Sequence, residues 1–355
     1  MLLNKDDKTD PRVQKEAKSL RSLDEHQVGI FSNRRKINTK SKIRFGLNVA
    51  RFYVECVREA RRLDKLWKLD AVHAHDLDTL PLGVLLTRLH DIPLIYDAHE
   101  VYAYMIREDV GTSFSSALLF IERRLTRWAT RVIAVSQNVA VNVTERPNDC
   151  VLVMNCPGDP PPMAHVPREG GALRLGYFGS LEPGRFVLAG INAVEATPGW
   201  EMIIAGSGSL EGAVKTRTSD RVHFIGQMPH ERSVQMMGAC DLQLLMFDPN
   251  NANSRIGMPN RLFEAMSLGK PVVATYYTDS GRLVQDLDCG FAVGYESSSL
   301  ASLLLFLKQY PGKLAKLGEN GHRAWEDQYN WGRQELALLS MYHALSGGGV
   351  KDVVN

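Results

Sequence analysis

The sequence predicts an α/β protein with two Rossmann-like domains, each built on a parallel sheet covered by helices. Short runs rich in aliphatic and β-branched residues alternate with helix-length segments along most of the chain. This alternation breaks once, in a proline-rich stretch, and then restarts. The chain has 355 residues, which is more than a single hydrophobic core normally organises.

The first half alternates candidate helices with candidate strands. Segments 11–23, 45–66, 79–89 and 115–130 carry apolar residues at the three- and four-residue spacing of a helix. The apolar runs around them are predicted as buried parallel strands: 27–32, 71–75, 93–99, 131–136 and 151–155. The opening residues MLLN make a poor first strand.

A linker separates the two halves. Residues 157–171 contain five prolines and three glycines, a composition that holds neither a helix nor a central strand. The second half then offers six candidate strands, at 173–179, 201–206, 222–226, 242–247, 271–275 and 290–294. We expect an N-terminal domain over 1–160 and a second domain over 161–330. Residues 331–355 are expected to form a helix that packs back toward the N-terminal domain, followed by a flexible tail.

Composition excludes several classes of function. Lysine plus arginine number 42 against 40 acidic residues, so the net charge of +2 gives no reason to expect nucleic acid as a partner. The five cysteines form no CxxC pair, which argues against a disulfide framework and a thiolate zinc site. We find no apolar run of bilayer length and no secretory leader, so the expected location is the cytoplasm.

Polar side chains follow two strands of the first half. His73 and His75 share a strand face and with Asp76 could form a metal site. Alternatively, His73 is a core histidine bonded to backbone and the aspartates cap the next helix. His99 and Glu100 end the next strand, where a histidine can donate to a substrate hydroxyl or phosphate. A structural role for His99 remains an equal alternative.

Two glycine-bearing turns follow strands of the second half. In GYFGSLEPGR a helix is expected to start near Pro183, with Arg185 in its first turn, so that backbone N–H groups and a guanidinium converge on an anion. The later AGSGSLEG has only a GxG and lacks the remaining elements of a dinucleotide fingerprint, so no NAD site is predicted.

The most specific stretch runs from Ser254 to Thr275. Free backbone donors near Gly257 and Met258 can take a phosphate, while Glu264, four residues after Asn260, accepts from vicinal hydroxyls. A nucleotide sugar carries both groups. The residues next to Glu264 are apolar, so the helix has little polar surface there. This argues against Glu264 being a solvent-exposed carboxylate.

The order of these motifs resembles family 4 of the retaining glycosyltransferases, which have the GT-B fold. The resemblance covers nearly the whole chain and includes DPRVQKEAKSL, VHAHDLDTLPLG, LIYDAHEVY, GYFGSLEPGR, IIAGSGSLEG, VHFIGQMP and IGMPNRLFEAMSLGKPVVAT. It implies two Rossmann-like domains facing across a cleft, with a nucleotide-diphosphate sugar held mainly by the second domain. A glycan or lipid-linked acceptor would bind the first domain. It also implies retention of configuration, no metal and no cofactor beyond the donor.

The resemblance also implies roles for individual residues. Those implied to be catalytic are His99, Arg185 and Glu264. Those implied to bind the donor are Gly179, Ser180, Arg185, Gly257, Met258, Pro259, Asn260, Arg261 and Glu264. On the acceptor side the resemblance implies Arg12 and Glu100.

The sequence departs from the family at the sugar-binding motif. The family often has a Glu eight residues before the one at Glu264, and this chain has Ile256 there. Ser180 also stands where an arginine is frequent. These departures keep two other functions open: a non-catalytic subunit that binds a nucleotide or a partner protein, and sugar-nucleotide hydrolysis or epimerisation.

A basic segment covers residues 34–68, with twelve lysines and arginines against three acidic residues. Apolar residues such as Phe45, Phe52 and Leu66 are interspersed. Such a segment predicts either a helix at an anionic membrane surface or a solvated basic face.

Overall fold

The structure, a computed structural model, describes residues 1–4, 10–23, 27–33, 42–162 and 171–345. The chain divides into two compact units: unit 1 comprises the residues up to Asn155 and the segment from Gln334, and unit 2 is Cys156–Arg333. Each unit holds a six-stranded parallel sheet with helices around it. The predicted α/β class with two parallel sheets is confirmed.

The sheet of unit 1 has the order β2-β1-β3-β4-β5-β6. Its strands are β1 (Leu2–Leu3), β2 (Phe31–Ser32), β3 (Val72–His75), β4 (Leu94–Ala98), β5 (Arg131–Ala134) and β6 (Val151–Leu152). The opening residues, predicted as a poor first strand, form β1. β1 is short, but Leu2 and Leu3 are buried and pair with β2 on one side and β3 on the other. Burial between two neighbours therefore compensates for weak β propensity.

The helices of unit 1 connect these strands. They are α1 (Pro11–Arg21), α2 (Lys42–Trp67), α3 (Leu80–His90), α4 (Tyr102–Met105), α5 (Arg107–Val110), α6 (Thr112–Leu125) and α7 (Gln137–Val143). Helix α1 begins where the sequence predicts it, because Asp10 accepts the backbone N–H groups of Arg12 and Val13 and Pro11 occupies the first turn. A 3₁₀ turn, Thr126–Trp128, follows α6.

The sheet of unit 2 has the order β12-β11-β10-β7-β8-β9. Its strands are β7 (Leu173–Phe178), β8 (Trp200–Ala205), β9 (Val222–Gly226), β10 (Leu242–Leu245), β11 (Val272–Thr275) and β12 (Gly290–Val293). Its helices are α8 (Val187–Glu195), α9 (Glu211–Lys215), α10 (His230–Gly238), α11 (Ala252–Ile256), α12 (Asn260–Ser267), α13 (Asp279–Asp286), α14 (Ser297–Gln309) and α15 (Gly312–Asp327). Trp200 is completely buried and donates its indole N–H to the Leu304 carbonyl at 2.9 Å, which ties β8 to α14.

The strand order of unit 2 reverses between β7 and β10. The chain moves from β7 to β8 and β9 on one side, then crosses to β10, β11 and β12 on the other. In open parallel sheets, ligands bind at the carboxyl ends of the strands where this reversal occurs. The turn after β7 and the loop after β10 therefore mark the place to look for a site in unit 2.

The first helix of unit 2 starts later than predicted. Instead of beginning near Pro183, α8 begins at Val187. Gly184 and Phe186 both adopt left-handed backbone conformations, with φ of +79° and +59°, and a right-handed helix cannot run through them. Arg185 therefore lies in the turn before the helix and not in its first turn.

The last helix, α16 (Trp331–Leu345), carries the chain from unit 2 back into unit 1. There the Gln334 side chain accepts the Met154 backbone N–H at 2.8 Å, and the Tyr342 hydroxyl hydrogen-bonds His73 Nδ1 at 2.8 Å. None of the helices in the described ranges is both long enough and apolar enough to cross a bilayer.

Candidate functional site

Two loops at the carboxyl end of the unit 2 sheet pack backbone against backbone. Leu181 N–H donates to the Ser207 carbonyl at 2.9 Å. A Cβ placed on Gly206 would lie 1.8 Å from the Gly179 carbonyl oxygen, and one on Gly208 would lie 2.4 Å from the Leu181 carbonyl oxygen. The two glycines of the GxG are therefore required by this close approach.

Arg185 stands at the reversal point of the sheet. Its guanidinium carbon lies 4.8 Å from the centroid of the Phe247 ring, which follows β10. The Asp248 N–H donates to the Gly184 carbonyl at 3.0 Å, so the turn after β7 and the loop after β10 are joined. Arg185 is half-buried and forms no ion pair with a described carboxylate. Its charge is therefore available to an anion bound at these strand ends.

Glu264 is a buried carboxylate with two basic neighbours. The residue is 5% exposed, which excludes the solvent-side alternative. Its Oε2 accepts from Arg261 Nη1 at 2.7 Å, and its Oε1 lies 3.4 Å from His230 Nε2. The prediction from the apolar neighbours of Glu264 agrees with this burial. His230, the first residue of α10, was not predicted because it shares no local spacing with α12.

The N-terminus of α12 provides free backbone donors. Pro259 precedes the helix and supplies no side-chain cap. In the described part of the chain, the N–H groups of Met258, Asn260 and Arg261 donate no hydrogen bond to protein. Unpaired N–H groups and the helix dipole together favour an anion at this position. Ile256 ends α11 nearby and is buried, so it offers no polar contact there.

His99 in unit 1 lies between two carboxylates. Its Nε2 is 3.1 Å from Asp97 Oδ2, and its Nδ1 is 3.5 Å from Asp76 Oδ2. Its backbone N–H donates to Asp76 Oδ1 at 3.2 Å. Burial lowers the pKa of His99, but the charges of Asp76 and Asp97 outweigh it and raise that pKa to about 9. The ring is therefore an imidazolium at neutral pH, and neighbouring Glu100 is half-buried.

Arg12, predicted as an acceptor-side residue, is buried in unit 1 with hydrogen bonds from every guanidinium nitrogen. Its Nε and Nη2 donate to the two carboxylate oxygens of Asp97 at 3.0 and 2.7 Å, and its Nη1 donates to the Val153 carbonyl at 2.8 Å. It also pairs with Glu16 at 2.9 Å. Its side chain is 3% exposed. The buried Arg12 guanidinium therefore anchors Asp97, and its assignment to the acceptor side stays a prediction.

A buried polar cluster lies beneath His99. Glu16, His73, His75 and Asp97 are all buried and bring ligand-type atoms within 4.8 Å of one another. Distance alone would admit a metal ion. The His73 and His75 rings are stacked, with centroids 4.3 Å apart and an interplanar angle of 19°. Arg12 already supplies positive charge to both carboxylates. We therefore interpret the cluster as a charge network.

The ionisable groups of this cluster have their pKa values shifted in different directions. Burial would raise the pKa of Asp97, but Arg12 and His99 outweigh it and hold that pKa well below its usual range. Burial, reinforced by the charge of Asp97, raises the pKa of Glu16 to about 8. Burial also lowers the pKa values of His73 and His75. His73 is a core histidine, as one alternative predicted, although its partner is Tyr342 and not backbone. Of the two aspartates predicted to cap the next helix, Asp76 accepts the His99 backbone N–H, and the N-cap position of α3 is Thr79, whose side chain makes no capping hydrogen bond.

The basic segment is only partly described. Residues 34–41 and the side chains of 42–47 and 67 lie outside the described residues. In the described part of α2, Phe52 is buried in the core of unit 1, whereas Leu66 is 60% exposed. The basic residues Arg58, Arg61 and Lys65 are exposed.

Known proteins resemble the chain along most of its length. The family description Glycosyltransferase Family 4 matches residues 13–159, and Glycosyl transferases group 1 matches residues 172–308. Glycogen synthase of Mycobacterium tuberculosis is 23% identical over 315 residues, covering 82% of this chain and 74% of that protein.

Two solved structures show the same fold. Anabaena Alr3699/HepE in complex with UDP matches with a TM-score of 0.68 at 18% identity, covering 98% of this chain and 99% of that one. Sucrose-phosphate synthase of Thermosynechococcus elongatus matches with a TM-score of 0.78 at 16% identity, with the same coverage of 98% and 99%. These likenesses confirm the fold that the sequence resemblance implied.

Proposed function

The chain belongs to the family 4-like glycosyltransferases of GT-B fold, and from this membership we propose that it transfers a sugar from a nucleotide-diphosphate sugar to a glycan or lipid-linked acceptor. The proposed reaction retains the configuration of the sugar and needs no metal ion or cofactor beyond the donor. The proposed location is the cytoplasm, where nucleotide sugars would reach unit 2.

The buried carboxylate of Glu264 beside the open N-terminus of α12 carries this proposal. In the proposed complex, Glu264 accepts hydrogen bonds from the ribose hydroxyls, and Arg261 and His230 hold it in place at 2.7 and 3.4 Å. The N–H groups of Met258 and Asn260, with Gly257 and Pro259 shaping the turn, take the diphosphate. One helix therefore offers a carboxylate for the ribose hydroxyls and an anion site for the diphosphate of a nucleoside diphosphate.

Arg185 supplies the charge that the chemical step requires. When the glycosidic bond to the diphosphate breaks, negative charge grows on the leaving group, and a cation fixed beside it stabilises the transition state more than the ground state. Stacking on Phe247 holds the Arg185 guanidinium without neutralising it. The Gly179 and Ser180 backbone lies at the same strand end and completes this part of the donor site.

Unit 1 supplies His99 and Glu100 in the proposal. An imidazolium at His99, held by Asp76 and Asp97, acts as a fixed positive charge and not as a base. Glu100 stays the proposed acceptor-side residue, and Arg12 keeps only an indirect role through Asp97.

Ile256 motivates one alternative, a protein that binds a nucleotide or a partner protein without turnover. Its buried apolar side chain offers no hydrogen bond to a donor sugar, whereas the ribose and diphosphate elements remain. Binding and turnover therefore have to be measured separately.

A donor panel tests the proposal. Thermal shift with UDP, GDP, ADP and dTDP sugars identifies the nucleotide, and UDP-glucose is the first choice because Alr3699/HepE is known in complex with it. Release of nucleoside diphosphate is then measured with and without candidate glycan acceptors, and NMR of the product reports its anomeric configuration. Binding without turnover supports the alternative, turnover to free sugar alone supports hydrolysis, and no binding by any nucleotide contradicts both the proposal and the site.

A further inference from the structure

Tyr277, between β11 and α13 in unit 2, combines a strained backbone with an exposed ring. Its φ of +65° lies in the left-handed region, which a bulky residue rarely adopts. Phe186 shares this conformation but is buried, so packing accounts for it. Tyr277 is 85% exposed, and no contact with the core offsets the steric cost. A strained residue that adds nothing to packing points to a function.

Hydrogen bonds on both sides of Tyr277 hold this turn in one conformation. The Tyr276 N–H donates to the Val293 carbonyl at 2.9 Å. On the other side, the Thr278 hydroxyl donates to the Thr275 carbonyl at 2.7 Å. The Tyr277 ring is therefore presented to solvent from a turn that is fixed at both ends.

A second tyrosine ring stands beside the first. Tyr276 is 43% exposed, and its ring centroid lies 6.2 Å from that of Tyr277, with an angle of 49° between the ring planes. Neither hydroxyl hydrogen-bonds to a residue that the structure describes. We call these two residues the tyrosine platform. Its exposed ring faces and both hydroxyl groups are available to a ligand.

The tyrosine platform lies at the same edge of the sheet as the proposed donor site. Strands β10 and β11 are parallel neighbours, so the loops after them start at one edge. The Phe247 N–H, after β10, donates to Thr275 Oγ1, at the end of β11, at 3.0 Å. Arg185 stacks on the ring of Phe247. An extended substrate with its reacting end beside Arg185 would therefore pass close to the tyrosine platform.

We propose that the tyrosine platform binds an oligosaccharide chain of the acceptor. A sugar ring has a face of C–H groups and an edge of hydroxyl groups. A tyrosine has an apolar ring face and a hydroxyl that donates and accepts, so both parts of the sugar meet a complementary group. This inference rests on the proposed function. It deepens that function by naming the acceptor as a glycan and by adding a contact in unit 2.

The charges that follow the tyrosine platform in sequence favour a neutral ligand. Asp279 and Arg282, in the first turn of α13, lie 3.7 Å apart as an ion pair. The guanidinium of Arg282 is thus already matched by a carboxylate. A phosphate ligand would meet this carboxylate as well as the cation, whereas a neutral oligosaccharide meets no such repulsion. The surface therefore fits an uncharged sugar chain better than an anion.

Saturation-transfer NMR titrations test the proposal. The full-length chain is titrated with short soluble gluco-, manno- and galacto-oligosaccharides, with and without UDP. Tyr277→Asn removes the ring, and asparagine tolerates the left-handed backbone. Tyr277→Phe keeps the ring. Tyr310→Asn is the matched control, because Tyr310 is a 52% exposed tyrosine at the end of α14 in unit 2. Thermal unfolding checks that each variant folds.

We expect wild type to bind at least one of these oligosaccharides. Tyr277→Asn should weaken that binding about tenfold, as expected for the loss of one aromatic contact. Its affinity for UDP should not change, and its unfolding midpoint should be no lower than that of wild type. Tyr277→Phe should retain most of the oligosaccharide binding, and Tyr310→Asn should retain all of it.

The proposal is wrong if no oligosaccharide binds wild type, or if Tyr277→Asn binds it as well as wild type does. It is also wrong if Tyr277→Asn loses UDP affinity by the same factor, since the ring would then contact the nucleotide. A wild-type dimer in light scattering, split by Tyr277→Asn with oligosaccharide binding unchanged, would also overturn it.

Failure of this inference differs from failure of the proposed function. If the chain binds oligosaccharide through Tyr277 but releases no nucleoside diphosphate from any donor, the tyrosine platform is supported and the transfer reaction is refuted. If the chain releases nucleoside diphosphate but binds no oligosaccharide, the tyrosine platform alone is refuted.

Discussion

Replacing Glu264 by glutamine should weaken nucleoside diphosphate binding without unfolding the protein. The substitution keeps the size of the side chain but removes the charge that Arg261 and His230 face at 2.7 and 3.4 Å. Oε2 is already held by Arg261 in the free protein, so ribose gains about one additional charge-assisted hydrogen bond. Such a bond contributes about 1.5–3 kcal/mol. The dissociation constant should therefore rise about 10- to 150-fold.

Isothermal calorimetry with a pair of ligands separates a direct contact from a structural effect. UDP carries both ribose hydroxyls, whereas 2′-deoxy-UDP lacks one of them. If Glu264 accepts from the ribose, Glu264→Gln should weaken UDP binding more than 2′-deoxy-UDP binding. Glu211→Gln is the control, because Glu211 pairs with Lys215 on the surface of unit 2 at 2.7 Å.

Two results would refute this reasoning. Unchanged affinity of Glu264→Gln for UDP would mean that the carboxylate does not contact the nucleoside. An equal loss for UDP and 2′-deoxy-UDP would mean that Glu264 supports the local fold and not the ribose. If the panel of nucleotides identifies another base, the corresponding ribose and deoxyribose pair replaces UDP.

Three further outcomes are expected. Arg185→Ala should lower kcat about 100-fold with a smaller change in KM, because its charge acts on the leaving diphosphate; an unaltered turnover rate would remove this role. Gly206→Ala should destabilise unit 2 by about 3 kcal/mol or more, since the new Cβ meets a carbonyl oxygen at 1.8 Å. Gly212→Ala is the control, because a Cβ on Gly212 has no atom within 4 Å, and it should be neutral or slightly stabilising in thermal unfolding. Equal unfolding midpoints for Gly206→Ala and Gly212→Ala would contradict the packing argument. His99 has its pKa raised from 6.5 to about 9, so its contribution to the free energy of unfolding is fully present below pH 6.5 and is lost as the pH rises through about 9. Urea unfolding between pH 6 and 9.5 should show this slope in wild type and lose it in His99→Asn.

The local sequence pattern was sufficient to predict the structure wherever the residues of one segment determine its conformation. The strand and helix alternation predicted both sheets, and apolar residues on either side of Glu264 indicated its burial. The apolar spacing over residues 11–23 predicted the start of α1 correctly, and Asp10 caps that start in the structure. Each of these features depends on residues within one helical turn or on strand composition, which periodicity reports directly.

Side-chain contacts between residues far apart in the chain could not be predicted from local sequence patterns. Arg12 meets Asp97, 85 positions away, and Val153, 141 positions away, and no local spacing announces either contact. For the same reason, His230 was not connected with Glu264. The late start of α8 has another cause, since the left-handed conformation of Phe186, a bulky residue, is set by packing and not by propensity.

The discontinuous make-up of unit 1 affects the order in which the protein is completed on the ribosome. Unit 2 is one uninterrupted stretch, so all of it leaves the exit tunnel before Gln334 and Tyr342 do. Until then the Met154 amide and the His73 ring lack the partners that α16 brings. A nascent chain stalled when residue 333 has just left the exit tunnel should thus hold a finished second unit and an unfinished first one, which protease pulses on stalled chains would reveal.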